Sequence, residues 1–179
     1  MLLMKNICLL MAFLTLGIGD SFGEIREDFH SSDPDKQHLL AVINDASYSA
    51  SSISMAYQGL CEAMMAEHLF LPTSKISSFK KGKSKVETAI EKHPENCELR
   101  YVRLLIQLNT PNIVNYHDAI SEDLEYFMEN LHSQIADDQW KLTFIDNLLL
   151  GKNLSADQKN QLLTLKENCN ATSTRGTSR

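Results

Sequence analysis

The stretch that decides the fold is SISMAYQGLCEAMMA, residues 52–66. At helical spacing it carries two stripes. Tyr57, Leu60, Cys61 and Met64 form a bulky one. Ser52, Ala56, Gly59, Ala63 and Ala66, at offsets 0, 4, 7, 11 and 14, form a second made only of small side chains. Glycine inside a helix costs about 1 kcal/mol relative to alanine, so Gly59 needs a packing reason. Small side chains along one face supply it, because they let a neighbouring helix come close.

The expected neighbour follows directly in sequence. The first helix of the pair is expected over 49–70, with Pro72 breaking it and Thr73 or Ser74 capping the next, which runs to His93. Its apolar line is Ile76, Phe79, Val86, Ala89 and Ile90, and Gly82 falls in that line. Residues 49–93 therefore read as an antiparallel helical hairpin with close axes.

Working outward, Ser32 or Asp33 before Pro34 starts a short helix through Leu39, Leu40, Val42 and Ile43. After Pro94 a helix is expected from about Glu95 to Asn109, stopped by Thr110–Pro111, with a short helical turn in 112–118. Ile120, Leu124, Phe127, Met128 and Leu131 mark the next helix. Asp137 or Asp138 opens another, with Gly151 as its C′ residue. Ser155 with Gln158 is a capping-box pattern for the last. No alternating strand pattern occurs. The expected fold is all-α, with hairpins packed into one small domain of about six to seven helices over 36–167. The segment 24–35 reads as a flexible entry and 168–179 as a disordered tail.

The N-terminus, MLLMKNICLLMAFLTLGIGDSFG, has Lys5, an apolar run from Ile7 to Ile18, and small residues Ser21 and Gly23 at −3 and −1 of a cleavage site. That is the signal-peptide pattern. The expectation is cleavage after Gly23 and a secreted or periplasmic product, with an uncleaved anchor as the alternative. The chain has 179 residues, 43% of them hydrophobic, and a net charge of −6, a poor composition for nucleic-acid binding. Cys61, Cys97 and Cys169 are too few for a disulfide scaffold. A Cys61–Cys97 bridge and two buried thiols are both open.

On the helix expected from Glu95, apolar residues cover most of the circumference. Asn96, Arg100, Arg103 and Gln107, at offsets 0, 4, 7 and 11, fall on one narrow line. Either this polar line faces solvent or pairs inside the chain with carboxylates such as Glu87, Glu91, Asp118 or Glu122, or it lines a groove and offers two guanidinium forks to a partner. The first of these, a solvent strip or internal pairing, is the preferred expectation, since structural ion pairs are the commoner use. The same four residues are the candidate partner-binding set.

The junction AIEKHPENCELRY, residues 89–101, resembles the boundary between two tetratricopeptide repeats through Ala89, Pro94, Asn96, Glu98 and Tyr101, with Gly82 seven residues upstream. The likeness covers about one and a half repeats. The longer pattern of AYQG followed by FKKGKSKVETAIEKHPENCELRYVRLLIQLNTP resembles small exported helical proteins of Bacteroidetes. That resemblance implies compartment and fold and brings no catalytic residue or ligand.

Other motifs are weaker. Lys75, Lys80, Lys81, Lys83 and Lys85 form a basic cluster spread around its helix. Glu129-x-x-His132 has a di-iron spacing without the second motif such a site needs. His117–Asp118 comes with no nucleophile motif. Neither a catalytic residue nor a cofactor nor a metal site is therefore expected. The expected function is an exported, non-enzymatic helical module that binds a protein or peptide segment or serves as a structural partner in the cell envelope. The alternatives are a small enzyme whose site is assembled in space, and a peripheral envelope-surface binder using the lysine run 80–85.

Overall fold

Helix starts in this chain are set by its capping side chains. The computed structural model describes Arg26, Glu27, Phe29, His30 and residues 35–176. The chain divides between Asp33 and Pro34 into two units. In the first, the four described residues are helical, and Phe29 and His30 meet edge to face at 5.0 Å. The expected signal peptide, 1–23, lies outside the described residues.

The second unit is all-α. Helix α1 (Lys36–Asn44) is capped by Asp35, which accepts from His38 N at 2.9 Å. Helix α2 (Ser52–Met65) is capped by Ser51, which accepts from Ser54 N at 3.0 Å. It is shorter than the expected 49–70, because a 3-10 turn capped by Asp45 precedes it and another, Ala66–His68, follows it. Helix α3 (Pro72–Lys92) begins on its proline. Pro72 starts α3 from the first helical position, where a missing N–H costs nothing, so Thr73 and Ser74 lie inside the helix instead of capping it.

Asn96 caps α4 (Cys97–Asn109), accepting from Glu98 N and Leu99 N. A 3-10 turn, Asn112–Val114, follows as expected and ends on Asn115 in the left-handed region at φ 52°. Helix α5 (Ile120–Gln134) comes next, then α6 (Asp138–Leu149) capped by Asp137, then α7 (Ala156–Gly176). The Ser155–Gln158 box closes in both directions, at 2.9 and 3.2 Å. Helix α7 continues to Gly176 with Cys169 fully buried. The tail expected from 168 is thus helical through 176.

The α2–α3 pair is the close hairpin read from the small stripe. A Cβ placed on Gly59 would sit 2.7 Å from the Gly82 carbonyl oxygen, and one on Gly82 would sit 2.6 Å from Ala63 N as well as against the Gly59 oxygen. Each glycine is opposed by backbone, which cannot rotate away, so the two axes meet only because both positions lack a side chain. Gly151 follows the same logic. It follows the cap Leu150, at the C′ position expected for it, with a φ that is not positive. A Cβ on it would meet the Leu108 side chain at 2.8 Å.

Helix α4 runs through the middle of the unit, against α2, α3, α5 and α6. Tyr101 is fully buried and stacks on Phe144 at 4.2 Å and Phe127 at 5.9 Å. Leu99, Leu104 and Leu108 on α4 meet a core that includes Tyr57, Leu124, Leu131 and Leu148. Among the described residues no helix is long and apolar enough to cross a membrane.

Candidate functional site

The polar line on α4 turns inward. Asn96, its first member, is used by the helix cap. Arg103 forks onto Asp123 of α5 with both oxygens engaged, Nε to Oδ2 and Nη2 to Oδ1, each at 2.6 Å. Its remaining nitrogen reaches Glu87 of α3 at 2.8 Å. Arg100 adds a second guanidinium to Asp123 at 2.8 Å, touches Glu122 at 3.3 Å, and lies over the Tyr126 ring. Tyr116 donates its hydroxyl to Glu87. Asp123 has no exposed surface and Arg103 is 8% exposed.

These contacts tie three helices and one loop together. Asp123 sits in the first turn of α5, where the helix dipole also favours a carboxylate. Burial is the largest influence on Arg103 and disfavours its charge. The hydrogen bond and charge of Asp123, joined by Glu87, nonetheless hold its pKa above the ordinary value. Burial, then the hydrogen bond to Glu87, pushes the Tyr116 hydroxyl up as well. The two guanidinium groups, the carboxylates of Asp123 and Glu87 and the Tyr116 hydroxyl thus answer one another inside the chain.

Gln107 completes the line and differs from the rest. It is fully buried, and neither its amide nitrogen nor its carbonyl oxygen has a hydrogen-bond partner. The four residues read as a partner-binding set are therefore a cap, two internal ion-pair donors and a buried amide. They do not line an open groove. Of the carboxylates named from sequence, Glu87 and Glu122 are the ones used; Asp123, the central acceptor, was missed.

A second polar cluster joins α1, α2 and α3. Gln58 donates to the carbonyls of Val42, Ile43 and Asp45 at the end of α1, while Lys85 binds Gln58 Oε1 at 2.8 Å and Glu62 Oε1 at 2.7 Å. This takes Lys85 out of the surface run.

The remaining motifs separate in space. His117 Nε2 lies 2.9 Å from the Thr110 carbonyl and 3.0 Å from Asn153, which pins the loop after α4. His132 Nε2 lies 3.8 Å from Cys169 Sγ, and burial pushes that thiol's pKa up. Glu129 instead lines an open, polar cleft of about 660 Å³ with Glu125, Asp157 and Gln161. Among the described residues no group of three or more His, Cys, Asp or Glu is placed to hold a metal. Cys61 and Cys97 are both buried and are not bridged to each other.

The largest departure from expectation is at the end of the hairpin. Phe70 and Leu71 fall in the turn between α2 and α3, and Phe70 is 93% exposed. Ile76, read from sequence as core, is 54% exposed. The 3-10 turn after α4 leads into Tyr116, which packs edge to face on Phe79 and donates to Glu87, beside the middle of α3. In that turn Ile113 is 93% exposed and Val114 is exposed too. Of the eight exposed large hydrophobics in the described residues, Phe70, Leu71 and Ile76 thus fall together at the turn and the start of α3, the others being Ile113, Val114, Leu40, Leu150 and Leu163. The sequence signal for this was slight: an apolar pair set directly before the proline that opens α3.

No protein-family model matches this chain, and neither a curated protein nor a solved structure matches it.

Proposed function

We propose that this chain is an exported, non-enzymatic helical module that works by contact in the cell envelope, and that the end of the α2–α3 hairpin is its contact surface. The observation that carries the reading is the exposure of Phe70, Leu71 and Ile76 together at the turn and the start of α3. Scattered single hydrophobics are ordinary on a protein surface, whereas a contiguous apolar patch marks an interaction site. The non-enzymatic half is supported by the use of Arg100, Arg103, Glu87, Asp123 and Tyr116 in one internal network. Export is supported by the leader-like pattern of residues 1–23.

The test is fractionation of the native cell. Phe70→Ser combined with Ile113→Ser moves the protein from the envelope fraction to the soluble one, while its melting temperature changes little. Mass spectrometry of the same preparation finds a chain that begins after Gly23. Unchanged retention of the double variant would exclude the hairpin end as the contact surface.

A further inference from the structure

This inference rests on the reading of the hairpin end as a contact surface and names what it contacts. We propose that it inserts into the interface of an anionic lipid bilayer.

Shape comes first. Helix α3 has 21 residues and the adjacent α4 has 13, about 31 Å against 20 Å at 1.5 Å per residue. The exposed Phe70 and Leu71 sit in the turn that opens the longer of the two.

Charge is the second observation. Between residues 66 and 85 the chain carries five lysines, with Glu67 as the one opposing carboxylate, in a protein whose net charge is −6. Lys85 is spent on Glu62, which leaves Lys75, Lys80, Lys81 and Lys83. Ile76, Lys80 and Lys83, at offsets 0, 4 and 7, share one face of α3. Lys83 lies 4.2 Å over the Tyr116 ring, beside the loop that carries Ile113. Exposed aromatic and aliphatic groups at Phe70, Leu71 and Ile76 thus stand among ammonium groups, with Lys75 between them and Lys80, Lys81 and Lys83 within about three turns. A bilayer interface offers a partner to each, acyl chain and phosphate.

The other occupants fit less well. The centres of protein–protein interfaces are depleted in lysine. A second copy related by a two-fold axis would bring two sets of these lysines together.

The test uses the full chain carrying Phe70→Trp, read as a difference spectrum against the parent, whose one tryptophan is Trp140. Mixed vesicles of phosphatidylglycerol and phosphatidylcholine shift the introduced tryptophan's emission to shorter wavelength, and bromine on the acyl chains quenches it. Substituting Lys75, Lys80 and Lys81 together by alanine lowers partitioning on the order of a hundredfold, from the contribution of each lysine near an anionic surface. Added salt weakens binding in the same direction. The inference is overturned by an emission that ignores the anionic vesicles, or by equal partitioning onto phosphatidylcholine alone. It is overturned equally by a shift that appears without vesicles and grows with protein concentration, which would assign the tip to a second copy. If fractionation still depends on Phe70 and Ile113 while vesicles have no effect, the partner is a protein and the contact-surface reading stands without this inference.

Discussion

Arg103 and Phe70 occupy the places that each other's chemistry would ordinarily take. The guanidinium is 8% exposed, and the phenyl ring is 93% exposed. Both placements have a local cause. Arg103 lies on the one helix surrounded by four others, and its charge is tolerated there because Asp123 and Glu87 answer its donors. Phe70 lies in the turn between α2 and α3, ahead of the first residue of α3. A charged line therefore does not by itself mark a surface, nor does an apolar pair mark a core. What decides is which elements pack against the residue in question.

Substitutions at three places sharpen that contrast. The largest effect belongs to the hairpin that holds both regions. Gly82→Leu forces a side chain against the backbone of Gly59 and Ala63 and costs roughly 3 kcal/mol or more in denaturant unfolding, with Gly82→Ala at about 1–3 kcal/mol. An unchanged midpoint for the leucine variant would mean that the axes are not in contact. Next is Gln107→Met, which keeps the shape and removes two unpartnered polar atoms. It raises stability by about 1 kcal/mol or more; a loss of that size would show that the amide has a partner. The smallest effect is at the exposed residues, where Phe70→Ser and Ile113→Ser each shift unfolding by less than about 0.5 kcal/mol. A larger loss would mean that these residues pack inside the fold.

Much of the fold was legible from local chemistry. The small stripe predicted the hairpin, and Gly59 and Gly82 oppose each other as that stripe requires. The Ser155–Gln158 box and the acidic cap of α6 were readable because caps act within three residues. The polar line on α4 was legible as a line, and its internal pairing with Glu87 and Glu122 was one half of the preferred expectation, a solvent strip being the other. Its partner Asp123 was not legible, because in sequence it is one of three acids, Glu122, Asp123 and Glu125, at the start of an exposed-looking helix. Only the packing of α4 on α5 singles it out. The exposed end was missed for a related reason. Periodicity assigns Ile76 to the apolar face of α3 but cannot report whether a neighbour covers it. Gly151 was legible as the residue after the cap of α6; its close approach to Leu108 was not, because that is a tertiary contact.

The most direct test of an inward-facing arginine line is a double-mutant cycle read by denaturant unfolding, with Arg103→Met, Asp123→Leu and the two combined. Each single change takes the main partner from a buried charge, leaving Asp123 with Arg100 or Arg103 with Glu87, and costs up to about 3–5 kcal/mol. The combined variant loses about 2 kcal/mol or more less than the sum of the two, because the interaction removed by each change is the same one. Additivity to within about 0.5 kcal/mol would contradict this, since it would mean that Arg103 and Asp123 answer to different partners and that the line on α4 is open to something outside the chain.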